Sequence, residues 1–156
     1  MLQSFKELAL EPGSPLQPQA ANGRDVVQWL NQAHQKLEDA RQEVISAGTR
    51  MDAAWDAALF ACLAVACAEG WRATGEKGHH VTVLTGAIRA LGLGQHRFDE
   101  LDTLRDWRNR KYRPGMHVQR SEVLEATALI DPFLVDVAAW FGTRHAVLIK
   151  QGMAQP

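Results

Sequence analysis

The sequence predicts an all-α protein, an antiparallel bundle of four or five main helices. Apolar residues recur at steps of three and four along most of the chain, and strand-like alternation runs nowhere over a useful length. Clusters of Gly and Pro separate the periodic stretches, so the helices are joined by short loops. At 156 residues, with 46% hydrophobic and 22% charged, the chain can bury one ordinary core, and no internal repeat divides it.

Residues 1–23 hold Pro12, Gly13, Ser14, Pro15, Pro18 and Gly23, punctuation too dense for more than a short helix over 2–10. This reads as a flexible arm outside the core, with the bundle over 24–150. Val26, Trp29, Leu30, Ala33, Leu37, Ala40 and Val44 then trace one helical face to about Ser46, and Gly48 is expected to stop that helix. From Met51 to Ala68 the sequence is apolar nearly all round and Ala-rich, the pattern of a buried central helix. A loop over 74–78 precedes a third helix from His79 to Leu91, which carries Val81, Leu84, Ile88 and Leu91 on one face. Gly92-Leu93-Gly94 breaks it, and a fourth helix runs from Gln95 to Tyr112 until Pro114-Gly115 ends it. Ser121 and Glu122 open a long last helix through Phe141, which Pro132 is expected to bend or split.

Seventeen Lys and Arg against eighteen Asp and Glu give a net charge of -1, so no global field draws the chain to nucleic acid or anionic lipid. Any such site must be local. The longest uncharged run, 57–68, is too short to cross a bilayer, and the first residues lack the basic and apolar regions of a secretory signal. A cytoplasmic protein without membrane association is expected. Cys62 and Cys67 fall on different sides of one helix and cannot pair there. Only His79 and His80 are close in sequence among the histidines, so no metal site and no cofactor is expected.

Charge does concentrate in one place. Between Arg105 and Arg113, five of nine residues are basic: Arg105, Arg108, Arg110, Lys111 and Arg113. The plain reading is a solvated helix end whose cations favour the C-terminal dipole. Arg108 resists it, because Leu101, Leu104, Arg108 and Tyr112 follow the spacing of one face, which puts a guanidinium on a leucine stripe. Such a group needs an internal acceptor or a groove open to an anion. Asp56, beside Trp55 and Leu59, is the expected acceptor; Asp52 one turn earlier reads as part of a helix-start acidic pair.

The run Leu101-Asp102-Thr103-Leu104-Arg105-Asp106-Trp107-Arg108-Asn109-Arg110-Lys111-Tyr112-Arg113 resembles the signature helix of HEPN (higher eukaryotes and prokaryotes nucleotide-binding) domains, which reads leucine, two residues, leucine, then Arg-Asn, then a His or Tyr about a turn on. The Ala-rich helix with Trp55 and Asp56, the Gly78-His79-His80 start of the next helix and the apolar last helix are similar to compact bacterial members. The resemblance spans about residues 25–142. It implies a homodimer, and ligand contacts from Arg108, Asn109, Tyr112 and Arg113 with support from Asp56 and His80. Ribonuclease members carry Arg, four to six residues, then His, the imidazole assisting attack of a 2'-hydroxyl while the Arg steadies the phosphate. After Arg108 no His falls at that spacing. Arg110 reaches His117 across six residues, but Pro114 and Gly115 intervene. Tyr112, with a phenol near pH 10, is a poor base.

The leading reading is therefore a HEPN-like domain, not catalytic alone, that binds RNA, a nucleotide or a partner protein through the face around Arg108. A nucleotidyltransferase or an antitoxin is the kind of partner the resemblance implies. One alternative is a metal-independent endoribonuclease of toxin–antitoxin or phage-defence type using Arg108, Asn109 and His117. The other is a purely structural role in which the arginines stitch helices together. A homodimer is also expected because Phe133, Leu134, Val137, Trp140 and Phe141 crowd the last helix beyond what one face of a small bundle hides. His79 and His80, and the tryptophans 29, 55, 71, 107 and 140, read most simply as capping or packing residues.

Overall fold

The computed structural model describes residues 1–75 and 79–154. Residues 76–78, the end of the expected loop and the Gly78 of the HEPN resemblance, lie outside the described residues. Seven helices and a two-stranded sheet make up the described chain. They are α1 (Phe5–Ala9), β1 (Leu16–Pro18), α2 (Gly23–Ala40), α3 (Ala47–Ala68), β2 (Trp71–Ala73), α4 (His79–Leu91), α5 (Gly94–Asn109), α6 (Arg120–Arg144) and α7 (Ala146–Ala154). A short 3-10 turn, Arg110–Tyr112, continues α5. The all-α bundle expected from periodicity is the architecture observed.

The core is organised around α3. Trp55, Ala57, Ala58, Ala61, Cys62, Ala64 and Val65 are fully or nearly fully enclosed, and the alanines let α2, α4, α5 and α6 approach the central helix. This helix is long and apolar enough to cross a bilayer, yet most of it is buried by its own neighbours, as in the core helix of a bundle. Leu101 and Leu104 from α5, Leu84 and Ile88 from α4 and Ile130 and Phe133 from α6 close around it. Cys62 and Cys67 are both free and buried.

Several boundaries differ from expectation. The N-terminal segment is not outside the core: Phe5, Leu8 and Leu16 are buried. Ser4 and Glu7 form a capping box that starts α1. The Phe5 ring lies where a side chain on Gly86 would stand, 2.3 Å from an added Cβ. Leu16–Pro18 then pairs antiparallel with Trp71–Ala73, a pair of strands too short to show any alternation in the sequence.

Helix α2 ends at Ala40 rather than near 46, and Val44 is almost wholly exposed. The stop is made by Arg50, whose buried Nε–H donates to the Ala40 carbonyl at 2.7 Å. Gly48 does not end a helix but lies in the first turn of α3. Pro132 does not split α6, a single 25-residue helix. Both Pro132 and Ala128, whose carbonyl loses its partner, are exposed, so water can replace the missing bond.

The chain past Phe141 adds a helix that periodicity did not reveal. Helix α7 folds back on the start of α2, where a Cβ on Gly152 would meet the Gly23 carbonyl oxygen at 2.0 Å. Two glycines let the backbones touch. In α6, Phe133, Leu134, Val137, Trp140 and Phe141 are all buried within one chain. No second copy is needed to cover them, contrary to expectation, and the homodimer rests on the resemblance alone.

Candidate functional site

The last turn of α5 and the 3-10 turn after it carry the basic run. Leu101 and Leu104 face the core as expected, and that register leaves Trp107, Arg108, Asn109 and Arg110 half-buried at the margin between α3, α4 and α6. Tyr112, Arg113 and Met116 project into solvent. Gly115 has a positive φ of 79°, which reverses the chain and puts His117 on the exposed approach to α6.

Four of the five cations already have carboxylate partners. Arg105 Nε donates to Asp102 at 2.8 Å, and Lys111 Nζ to Asp52 at 3.0 Å. Arg110 donates twice from Nη1 to Glu122, at 2.9 and 2.7 Å, and its guanidinium lies over the Trp107 ring. Arg108 Nε stands 3.9 Å from Asp52 Oδ1, and Arg108 Nη1 donates to the amide oxygen of its neighbour Asn109 at 3.1 Å. Arg113 has no ion pair among the described residues.

Neither a hydrogen bond nor an ion pair joins Arg108 to Asp56, the expected acceptor; the carboxylate that meets it is Asp52, one turn earlier on α3. Both aspartates lie on the same side of that helix, and spacing alone could not choose between them. Asp56 senses Arg108 only through its field, and burial pushes its carboxyl above the usual range against the pull of Lys36, Arg108 and Lys111. Arg110 is the best anchored cation of the run. Its partner Glu122 also accepts from the backbone N–H of Gln119, closing a capping box at the start of α6. Gln119 three residues before Glu122 was the signal in the sequence.

His80 adjoins this margin from the start of α4. Its ring lies 5.9 Å from Trp55 and 4.2 Å from His79, centroid to centroid. Burial, then the charges of His79, Arg108 and Arg105, push its imidazole down to about 4, so at neutral pH it is uncharged. Trp55 Nε1 and Asp52 Oδ1 are buried without hydrogen-bond partners. Among the described residues no hydrogen bond joins His117 to Arg108, and Arg110, its partner by spacing, is held by Glu122. Among the described residues no three His, Cys, Asp or Glu side chains gather as a metal site would require.

No family model matches the chain, and no curated protein or solved structure matches it either.

Proposed function

We propose that this chain is a HEPN-like binding module that engages a partner protein through the surface at the end of α5, and that it is not a nuclease by itself. The observation that carries this reading is the internal neutralisation of the basic run. Arg105, Arg108, Arg110 and Lys111 share three carboxylates, Asp102, Asp52 and Glu122, so most of their charge is offset and one positive charge is left over beside that of Arg113. What remains open is Tyr112, Arg113 and Met116, residue types enriched where proteins meet. A nucleotidyltransferase or an antitoxin is the class of partner in keeping with the resemblance. Asn109, its oxygen held by Arg108, keeps its amide hydrogens for a ligand.

RNA or nucleotide binding at the same face is the second reading, and it needs the arginines to leave their carboxylates. Fluorescence anisotropy with a labelled single-stranded RNA over a salt series separates the two. Weak binding with a salt slope of about 1.4 is expected, the share of Arg113 and of the one cation left over at about 0.7 each on a single strand. Tight binding with a slope of several charges overturns the protein-partner reading. RNA should also stay intact with or without chelator, whereas cleavage that disappears in His117→Ala would establish the ribonuclease alternative.

A further inference from the structure

At the other end of α4 from His80, about 14 Å along that helix, a cavity of about 300 Å3 opens between α1, β2, α4 and the end of α6. That volume is at the small end for organic ligands. Three cations line it from three distant parts of the chain: Lys6, Arg89 and Arg144. Unlike the cations of α5, none of them has an ion-pair partner among the described residues. Among the described residues Glu69 is the one acidic side chain in the lining, so three positive charges against one negative leave them with an excess of two.

Lys6, Arg89 and Arg144 are exposed and Glu69 offsets one of them, so the repulsion left between the other charges is eased when an anion sits among them. One of the three is also held in place: Arg89 Nη1 donates to the Leu2 carbonyl at 2.9 Å, leaving the rest of its fork unused. Ser4, whose hydroxyl oxygen accepts from the Glu7 N–H, is the other polar residue in the described lining, and the rest of the wall is apolar. Phe5 is buried against Gly86, which has no room for a side chain, and the Trp71 indole is half-buried.

We infer that this cavity is a binding site for a phosphate monoester carried on a flat apolar group. A phosphate monoester bears about two negative charges at neutral pH, matching the excess of the lining, and a guanidinium fork suits its oxygens. The Trp71 side receives the ring. Glu69 repels a second anionic group and accepts a hydrogen from a hydroxyl or amine. The site shares no residue with the face around Arg108 and does not depend on the function proposed for it.

The test is titration of the 15N-labelled full chain, following the indole N–H signal of Trp71, which Trp71→Phe identifies. Phenyl phosphate and adenosine monophosphate are the probes. Saturable shifts with Kd of about 1 mM or tighter are expected. Tighter binding of the nucleotide would assign the site to nucleoside monophosphates, and equal or weaker binding to smaller aryl phosphates. Arg144→Ala and Lys6→Ala, both at exposed positions, should each weaken binding by about tenfold, and Arg113→Ala should leave it unchanged. The inference falls if neither probe saturates by about 10 mM, or if Arg144→Ala binds as well as the unaltered chain. It also falls if inorganic phosphate binds as tightly as phenyl phosphate, since the apolar wall would then contribute nothing.

Discussion

Removing Arg110 should destabilise the fold more than removing Arg108, the reverse of what the leucine stripe suggests. The Arg110–Glu122 pair makes two charge-assisted hydrogen bonds, with only 23% and 17% of the two side chains exposed. In Arg110→Ala the Glu122 carboxylate keeps the Gln119 N–H but loses its counter-charge in a largely desolvated place. The expected cost is about 2 kcal/mol, a drop of roughly 6 °C in Tm for a chain of this size. Arg108 sits 3.9 Å from a carboxylate that is one-third exposed and already hydrogen-bonded to Lys111. Its loss leaves Asp52 with Lys111 and takes a donor only from the half-buried Asn109 amide oxygen, and after allowance for solvent screening the expected cost is about 0.5 kcal/mol. Urea unfolding of Arg110→Ala, Glu122→Gln and the double variant, with Arg108→Ala alongside, measures both numbers. The pair should also show a coupling energy of about 1 kcal/mol in the double-mutant cycle. A larger loss in Arg108→Ala than in Arg110→Ala would refute the assignment of partners made here.

Arg50→Met should cost about 2 kcal/mol in the same assay, because it leaves the Ala40 carbonyl without its buried donor. Gly86→Ala should destabilise by about 2 kcal/mol, since the new methyl overlaps the enclosed Phe5 ring; Gly48→Ala, in open space, serves as the control. The depressed His80 predicts a pH effect of known sign: the unfolded state takes up a proton near 6.5 and the folded state only near 4. Stability contributed by the neutral ring is complete above 6.5 and declines as pH falls towards 4, and His80→Phe should flatten that slope in chemical denaturation.

Much of the fold was legible because helix periodicity reports burial directly. The uniformly apolar stretch of α3 could only be central, and Leu101 and Leu104 identified the inner face of α5. The N-terminal segment was misread because its core contacts are few and far apart: Phe5, Leu8 and Leu16 sit among prolines and glycines, and strands of three residues leave no periodic trace. The partners of the basic run were harder still. Asp52 and Asp56 differ by one helical turn, and which of them meets Arg108 depends on how α5 is rotated and shifted against α3, a tertiary quantity. The end of α2 was hidden for a similar reason, since Val44 continues the apolar spacing while a buried arginine ten residues on stops the helix at Ala40.

The meeting of Gly23 and Gly152 has a consequence for how the protein is made. The start of α2 leaves the ribosome early, yet the backbone that covers it is supplied only after α3 to α6 have been synthesised. Until then Val27 and Leu30, which line the groove beside α7, lack their cover, and closing so long a loop carries an entropy cost that local helix contacts do not. During that interval Val27 and Leu30 are open to premature contacts, and α7 acts as the clasp that ends the exposure.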